Sequence, residues 1–478
     1  MKVNLWINNQ EVNAGDYREA KDPGRLTEVV GHVARGTVDH VNQAVESAYQ
    51  AFLSWRNTPL EERINLVYKA ADLLEAEKDY IAEVTSKENG MLLARSKGEI
   101  MMAVTAMRNL ADLAKSFSTR KEMEDETGWV RIEKKPMGVV AGIIPWNAPI
   151  VLAMQKLVPI VVTGNTTVFK PSPFASMGVT VALQKVAQLF PAGVVNVVLG
   201  DADVGEALTT HPLVRKISFT GGGPTAKAVM KAAADTLKDI HFELGGNDPA
   251  IILDDANLDD CIPKIVEAAL RRSGQYCYAI KRIYAPQHLY DSVFERICEE
   301  VKAYKIGHQL DERATMGPMN NARQFNSVKG LMERIKNSDA EYVELGEILE
   351  PDNWNNGYYL RPAVVRNLKP DAEIVTCEQF GPIIPLVAYQ SEDEVIAMAN
   401  DTEYGLGSSV WSTDFDRALR IADQIEAGMT FINGTAQSPL GYKYMPFGGV
   451  KQSGLGWENS EVVFEEYIEY HSINYHKP

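Results

Sequence analysis

Between Thr37 and Trp55 the apolar residues Val41, Ala44, Val45, Ala48 and Phe52 recur at the spacing of one helix face. That stretch is predicted to be a helix with a single buried side, and further amphipathic helical patterns continue to about Phe117. Beyond Phe117 the texture changes. Short apolar runs appear at 138–145 (G-V-V-A-G-I-I-P), 166–170 (T-T-V-F-K), 194–200 (V-V-N-V-V-L-G) and 216–221 (K-I-S-F-T-G), with helical spacing between them. Strands alternating with helices predict βαβ units around a parallel sheet, and so an α/β fold class. A helix is expected over Thr225–Leu237. A second alternating region opens at P-A-I-I-L-D, Pro249 to Asp254, and runs to about Asn433. The tail V-V-F-E-E-Y-I-E-Y-H-S-I-N-Y reads as an exposed strand able to pair with another subunit.

In such sheets ligands sit outside the carboxyl ends of the strands. The residues that close the first set of runs are therefore the candidates: Trp146 and Asn147, Lys170, Gly200, and Thr220 with its glycines. The open N–H groups at the start of the following helix suit a phosphate.

At 478 residues the chain exceeds the usual size of one core, so two or more domains are expected. An apolar share of 45% with 23% charged residues is that of a globular protein able to bury a large core. The net charge of −16 argues against nucleic acid and against an anionic membrane surface as partners. Cys261, Cys277, Cys298 and Cys377 show neither CxxC nor zinc-ligand spacing, so no metal site is expected and a reducing compartment fits best. The start M-K-V-N-L-W-I-N-N-Q lacks the apolar stretch of a signal peptide. The most apolar run, Val151–Val162, contains Gln155 and Lys156 and is too short to span a bilayer. A cytoplasmic location is expected.

The chemistry centres on R-S-G-Q-Y-C-Y-A-I-K-R, Arg272 to Arg282, which sets Cys277 between Tyr276 and Tyr278. A lone cysteine is ordinarily a small core filler; as a nucleophile it needs an activating partner. F-E-L-G-G-N-D-P, Phe242 to Pro249, places Glu243 among apolar neighbours, where its neutral form is favoured and a general base near neutral pH results. A surface ion pair at a strand end is the alternative. In I-I-P-W-N-A-P, Ile143 to Pro149, two prolines stiffen the backbone about Asn147, whose amide suits a developing oxyanion; a helix cap is the alternative. F-T-G-G-G-P, Phe219 to Pro224, is a glycine-rich turn but not a GxGxxG fingerprint. F-K-P-S-P, Phe169 to Pro173, ends with Lys170, either a ligand for phosphate or ribose or a solvated charge.

In order along the chain, Asn147, Lys170, F-T-G at 219–221, E-L-G-G at 243–246, G-Q-x-C at 274–277, E-x-F-G-P at 378–382 and P-F-G-G-x-K-x-S-G at 446–454 resemble the aldehyde dehydrogenase superfamily. The 34-residue interval from Glu243 to Cys277 matches it too. The resemblance implies a Rossmann-type cofactor domain (1–119 and 141–245, with part of 440–458), an α/β catalytic domain (246–439) and a β oligomerisation arm (120–140 and 459–478), joined as a homodimer or homotetramer. It implies that Cys277 attacks an aldehyde, that the Asn147 amide and the Cys277 N–H hold the oxyanion, and that Glu243 activates the water that hydrolyses the thioester. NAD or NADP would lie against Ile143, Ile144, Pro145, Trp146, Lys170, Pro173, Gly200, Phe219, Thr220, Gly221, Gly222, Thr225, Leu244, Gly245, Glu378 and Phe380. Ala148, Leu152, Gln155, Tyr276 and Tyr278 would line the aldehyde pocket, and Glu458 matches a proton-relay position of some members.

Three departures from the family pattern stand out. Pro173 replaces a glutamate common in members that prefer NAD, which makes NADP admissible. Gly222 and Ala226 alter the usual F-T-G-S-T-x-x-G. Ala148 and Gln155 stand where bulky aromatics are frequent, which implies a roomier, more polar tunnel suited to aromatic or functionalised aldehydes. The competing expectations are a CoA-acylating semialdehyde dehydrogenase, against which Glu243 argues, a catalytically silent protein on the same fold, and a Cys–His hydrolase.

Overall fold

A computed structural model describes residues 1–435 and 438–478. Its first large sheet has eight strands in the order Gly454–Leu455, Asp239–Glu243, Val214–Thr220, Val139–Ile144, Thr166–Pro171, Val195–Val197, Leu5–Ile7 and Gln10–Val12. The five strands from Asp239–Glu243 to Val195–Val197 run parallel, and the antiparallel pairings lie at the two edges. From Val139–Ile144 the chain adds two strands on one side, then returns to add Val214–Thr220 on the other. The order reverses there, and the crevice opens beyond the carboxyl ends of those two strands. Helices cover both faces, which is why the strands read as nearly unbroken apolar runs. The helix Pro149–Val162 is buried almost all round, Gln155 and Lys156 included.

The second sheet has seven strands, in the order Glu341–Glu344, Ala363–Arg366, Ile383–Tyr389, Ile280–Pro286, Asp248–Ile252, Gly407–Trp411 and Met429–Ile432. All pairings but the first are parallel. Each face carries its own apolar cluster, one around Ile262, Ile265 and Phe294, the other around Val328, Met332 and Val395. Only Leu244–Asn247 separates the end of Glu243's strand in the first sheet from the start of Asp248's strand in the second. Glu243 therefore sits where the backbone crosses from the first sheet to the second. A third sheet pairs Arg120–Glu124, Gly128–Pro136 and Ile468–His476, and touches the first through Arg215 Nη2, which donates to Glu469 Oε1 at 2.7 Å.

The helix read between Thr37 and Trp55 is present as Val38–Trp55. Two expectations need correction. The helix placed at Thr225–Leu237 runs instead over Gly223–Ala234, starting with Pro224 in its first turn, while Leu237 is left-handed and exposed. The tail is a strand only from Ile468; Glu461–Tyr467 is a helical turn, because its buried residues Val463, Phe464 and Tyr467 follow turn spacing rather than alternation. Moreover, that strand pairs with Gly128–Pro136 of its own chain along its whole length, leaving only its other edge open. The first 34 residues hold five strands that the pattern reading left unassigned; Leu5–Ile7 is too brief to display a period, and the ten-residue Arg25–Ala34 is mostly exposed or half-buried along its first part. Among the described residues no helix is long and apolar enough to cross a membrane.

Candidate active site

The helix Leu258–Leu270 ends at Arg271, and the chain then passes through Arg272 (φ 53°), Ser273 (φ 56°) and Gly274 (φ 71°), all left-handed. Two of these are not glycine, so the turn holds strain of roughly 1–3 kcal/mol per residue that its surroundings must offset. They do so with hydrogen bonds. Ser273 Oγ donates to the Gly317 carbonyl at 2.7 Å, and the Asn320 N–H donates to Gln275 Oε1 at 2.9 Å. Lys281 Nζ donates to the carbonyls of Gly274 (3.1 Å) and Tyr276 (2.8 Å). The turn delivers Cys277 half-buried into a pocket. Burial, then the carboxylates of Glu243, Glu378 and Asp248, push its thiol up. At rest it is a protonated thiol in a ring of acids.

Asn147 lies between the strand Val139–Ile144 and the helix Pro149–Val162, and it does not cap that helix. Glu99 does: its Oε1 accepts the N–H groups of Ile150 (2.8 Å) and Val151 (3.2 Å), where a carboxylate also meets the positive end of the helix dipole. With capping done from elsewhere, Asn147 lines the same pocket as Cys277. Arg272 braces this segment, hydrogen-bonding to Asn89 Oδ1 while Asn89 Nδ2 donates to the Trp146 carbonyl at 2.7 Å.

Glu243 ends its strand, paired with Thr220 on one side and Gly454 on the other. It is 2% exposed, and neither carboxylate oxygen has a hydrogen-bond partner among the described residues. This is no surface ion pair. Burial first, and Glu458 second, raise its pKa well above the ordinary carboxylate range, against the opposing pull of Lys156. The neighbouring His241 brings Nε2 to 3.7 Å from Glu243 Oε1. Glu458 Oε1 sits 2.6 Å from Lys156 Nζ, both side chains sealed from water.

The crevice at the sheet's reversal gathers the other candidates. Trp146 meets Phe380 edge to face at 5.4 Å. Glu378 Oε1 accepts the Gly246 N–H at 3.1 Å, and desolvation of its half-buried carboxyl raises it to about 7. A Cβ on Gly245 would stand 2.3 Å from Glu378 Oε2, so a larger residue there would push that carboxylate aside. The residues fit a dinucleotide. Cβ atoms built on Gly222 and Gly223 would meet almost nothing, which leaves the first turn of Gly223–Ala234 open to an anion. Lys170, at the end of Thr166–Pro171, is 6% exposed rather than a solvated charge. Burial lowers its pKa to about 8 against the support of Asp201 and Asp203, with Arg18 adding to the lowering. Gly200 closes the neighbouring run against Val204, while Leu244 is tied by its N–H to the Ser453 carbonyl at 2.9 Å. Pro173 follows Lys170 by three residues, so no carboxylate stands at that position. Ala226 is buried without displacing the turn.

The pocket at Cys277 is lined by Asn147, Ala148, Leu152, Gln155, Tyr276 and Tyr278, together with Met102, Val151, Phe447 and Asn459. Tyr276 and Tyr278 pack with ring centroids 4.3 Å apart and their hydroxyls hydrogen-bonded to each other. Gln155 spends its amide on Asn459 Oδ1 at 3.0 Å, which tempers the polarity expected of it. Sequence reasoning missed Met102 and Val151, for which there was no signal, and Phe447, which lies within P-F-G-G-x-K-x-S-G. It also missed His241, whose signal was a polar residue inside an apolar strand. The remaining cysteines stand apart as free thiols, with Cys261 pushed up to about 12 and Cys298 to about 11 by burial. Among the described residues no group of three His, Cys, Asp or Glu side chains could hold a metal.

A sequence profile described as the aldehyde dehydrogenase family matches residues 9–473. Among solved structures, betaine aldehyde dehydrogenase from Staphylococcus aureus in complex with NAD+ is similar at 29% identity and a TM-score of 0.94, covering 99% of this chain and 94% of that one. An NADP-dependent enzyme from E. coli is similar at 30% identity and a TM-score of 0.94, covering 99% and 98%. Aldehyde dehydrogenase from Brucella melitensis biovar abortus 2308 is similar at 31% identity and a TM-score of 0.93, covering 100% and 98%.

Proposed function

The chain belongs to the aldehyde dehydrogenase family, an NAD(P)-dependent oxidoreductase of aldehydes, and we propose that it makes the free carboxylic acid through a thioester on Cys277 that Glu243-activated water cleaves. The observation that carries this reading is the pairing of a half-buried thiol with a sealed carboxylate whose oxygens are both unpartnered.

Cys277 Sγ attacks the aldehyde carbon as a thiolate, its proton having passed to solvent water, so that Glu243 stays unprotonated for the later step. The new oxyanion is held by the Asn147 amide and the Cys277 N–H in a site where few waters compete. When bound, NAD(P) supplies the hydride acceptor. Glu378 and Phe380 orient its nicotinamide half, and Lys170, Gly221, Gly222 and Thr225 hold the adenosine and phosphate half. Once the thioester exists, Glu243 takes a proton from water, the C–O bond forms, the C–S bond breaks and the acid leaves. Glu458, paired with Lys156, takes part in moving that proton onward.

The first sheet with its helices is the cofactor domain, the second the catalytic domain, and the third the arm through which a homodimer or homotetramer forms in the cytoplasm. Aromatic or functionalised aldehydes are the preferred substrates, since Ala148 leaves room and Tyr276 and Tyr278 offer ring faces. The test is NAD(P)H formation on mixing with benzaldehyde-type and short aliphatic aldehydes, with Cys277→Ala as control. Equal rates in the control would overturn the covalent route. Acyl-CoA in place of free acid as product would overturn the hydrolytic one, and a strong preference for acetaldehyde would overturn the substrate class.

A further inference from the structure

The strand Ile280–Pro286 is buried along its whole length, yet two cations, Lys281 and Arg282, stand near its start. Burying an ammonium or a guanidinium is costly unless its donors are met. Arg282 spends its donors on the carbonyls of Asn247 (2.8 Å), Met398 (3.1 Å) and Ala399 (2.9 Å) and on the Tyr284 hydroxyl (3.1 Å), which fastens its own sheet together. Lys281 is spent differently. It is 2% exposed, and its Nζ reaches back to the turn that presents Cys277, donating to the carbonyls of Gly274 at 3.1 Å and Tyr276 at 2.8 Å.

The Tyr276 carbonyl and the Cys277 N–H belong to one planar peptide group, and resonance couples them. A cation on that oxygen draws electrons from the nitrogen and makes the N–H a stronger donor. Hydrogen bonds from an ammonium are the strong kind, so the pull is large for a single contact. Among the described residues the Cys277 N–H meets no acceptor, which leaves this donor unspent. The chain is also held on its other side, since a Cβ on Gly246 would stand 2.8 Å from the Cys277 carbonyl oxygen. Burial lowers the pKa of Lys281, while the carboxyls of Glu378 and Asp248 and the thiol of Cys277 hold it up. The Phe380 ring, 5.1 Å from Nζ, adds a further attraction for the ammonium.

We propose that Lys281 is a positioning residue for the oxyanion: it fixes the Tyr276–Cys277 peptide from behind and strengthens the N–H that receives the developing charge. This rests on Cys277 being the nucleophile of the proposed function. As the bond from Sγ to the carbonyl carbon forms, the π electron pair moves onto oxygen and the Cys277 N–H donates to it. Nζ keeps its protons throughout and acts only through the peptide. The same N–H serves twice, when the thiolate adds to the aldehyde and when water adds to the thioester.

The experiment uses the full chain without cofactor and sets two reactions of Cys277 against each other. p-Nitrophenyl acetate acylates the thiol through a tetrahedral oxyanion, read as the burst of nitrophenol. Iodoacetamide alkylates it by displacement of iodide with no oxyanion, read by mass spectrometry of the peptide that carries Cys277. In Lys281→Met, acylation is expected to slow by about 10-fold or more and alkylation by no more than about 3-fold; Lys281→Gln, which keeps an uncharged donor, falls between wild type and Lys281→Met. Unchanged acylation in Lys281→Met overturns the proposal. Equal losses in the two reactions overturn it as well, since they mark a lysine that only supports the fold or the thiol. Should Lys281→Met fail to fold, Lys281→Gln decides by the same ratio. A wild-type protein that forms no acyl adduct on Cys277 overturns the proposed function, and this reading with it.

Discussion

Gly274 and Gly381 touch through their backbones: a Cβ built on Gly274 would stand 2.1 Å from the Gly381 carbonyl oxygen. The turn that presents Cys277 is thereby pressed onto the loop that carries Glu378 and Phe380. Thiol and proposed cofactor clamp share one rigid seat.

Gly274→Ala meets two obstacles at once, that backbone clash and a φ of 71°. The expected cost is about 2–4 kcal/mol of stability, from overpacking plus left-handed strain. Urea unfolding monitored by tryptophan fluorescence reads it directly, and a variant as stable as wild type would show that the two loops separate freely.

Glu243→Gln is expected to acylate normally yet turn over about 100-fold more slowly. The pH dependence has a definite sign. The folded pKa of Glu243 lies above the unfolded one, so its ionised fraction, and with it the wild-type hydrolysis rate, climbs as pH rises through the folded value. The same shift makes the folded state hold this proton more tightly. Its stabilising contribution is complete below the unfolded pKa and is lost as pH rises through the folded one. Thermal melts at several pH values should therefore show the Gln variant gaining on wild type toward alkaline pH.

Pro173→Glu restores a carboxylate beside Lys170. Like-charge repulsion against a 2′-phosphate is expected to lower kcat/KM with NADP by about 10-fold or more while sparing NAD. Lys170 adds its own pH signature. With its pKa lowered to about 8, its charge is lost as pH rises through that value, and KM for the cofactor should rise in parallel. A flat KM between neutral pH and pH 9 would remove Lys170 from the binding site.

Lys156→Met leaves the Glu458 carboxyl in a sealed site without its partner. Breaking a buried pair on one side costs roughly 3–5 kcal/mol, whereas Lys156→Met combined with Glu458→Leu is expected to recover most of it. A double-mutant cycle on chemical denaturation measures the difference.

Several parts of this architecture were legible in the chain. Apolar runs ending at Asn147, Lys170 and Thr220 marked strand ends because ligands of parallel sheets collect there, and those residues do lie at or just past the carboxyl ends of three neighbouring parallel strands. The acidic surround of Cys277 was not legible. Glu243, Glu378 and Asp248 act on its thiol through space, and no spacing along a chain encodes such convergence. Lys156 was readable only as a charge interrupting an apolar run. Its partner Glu458 lies on a segment that reaches the first sheet through the pairing of Gly454–Leu455 with Phe242–Glu243. The tail misled because its apolar residues follow two periods in succession, a turn spacing to Tyr467 and a strand after it.

That same tail binds two distant regions with one length of backbone. It lies against the strand end of Glu243 at Gly454 and goes on to form the outermost strand of the exposed third sheet. Whatever grips that outlying sheet pulls on a cord knotted beside the Glu243 carboxyl. The proposed assembly and the proposed chemistry would in this way be joined by covalent bonds, with no chain of side-chain contacts required to carry news between them.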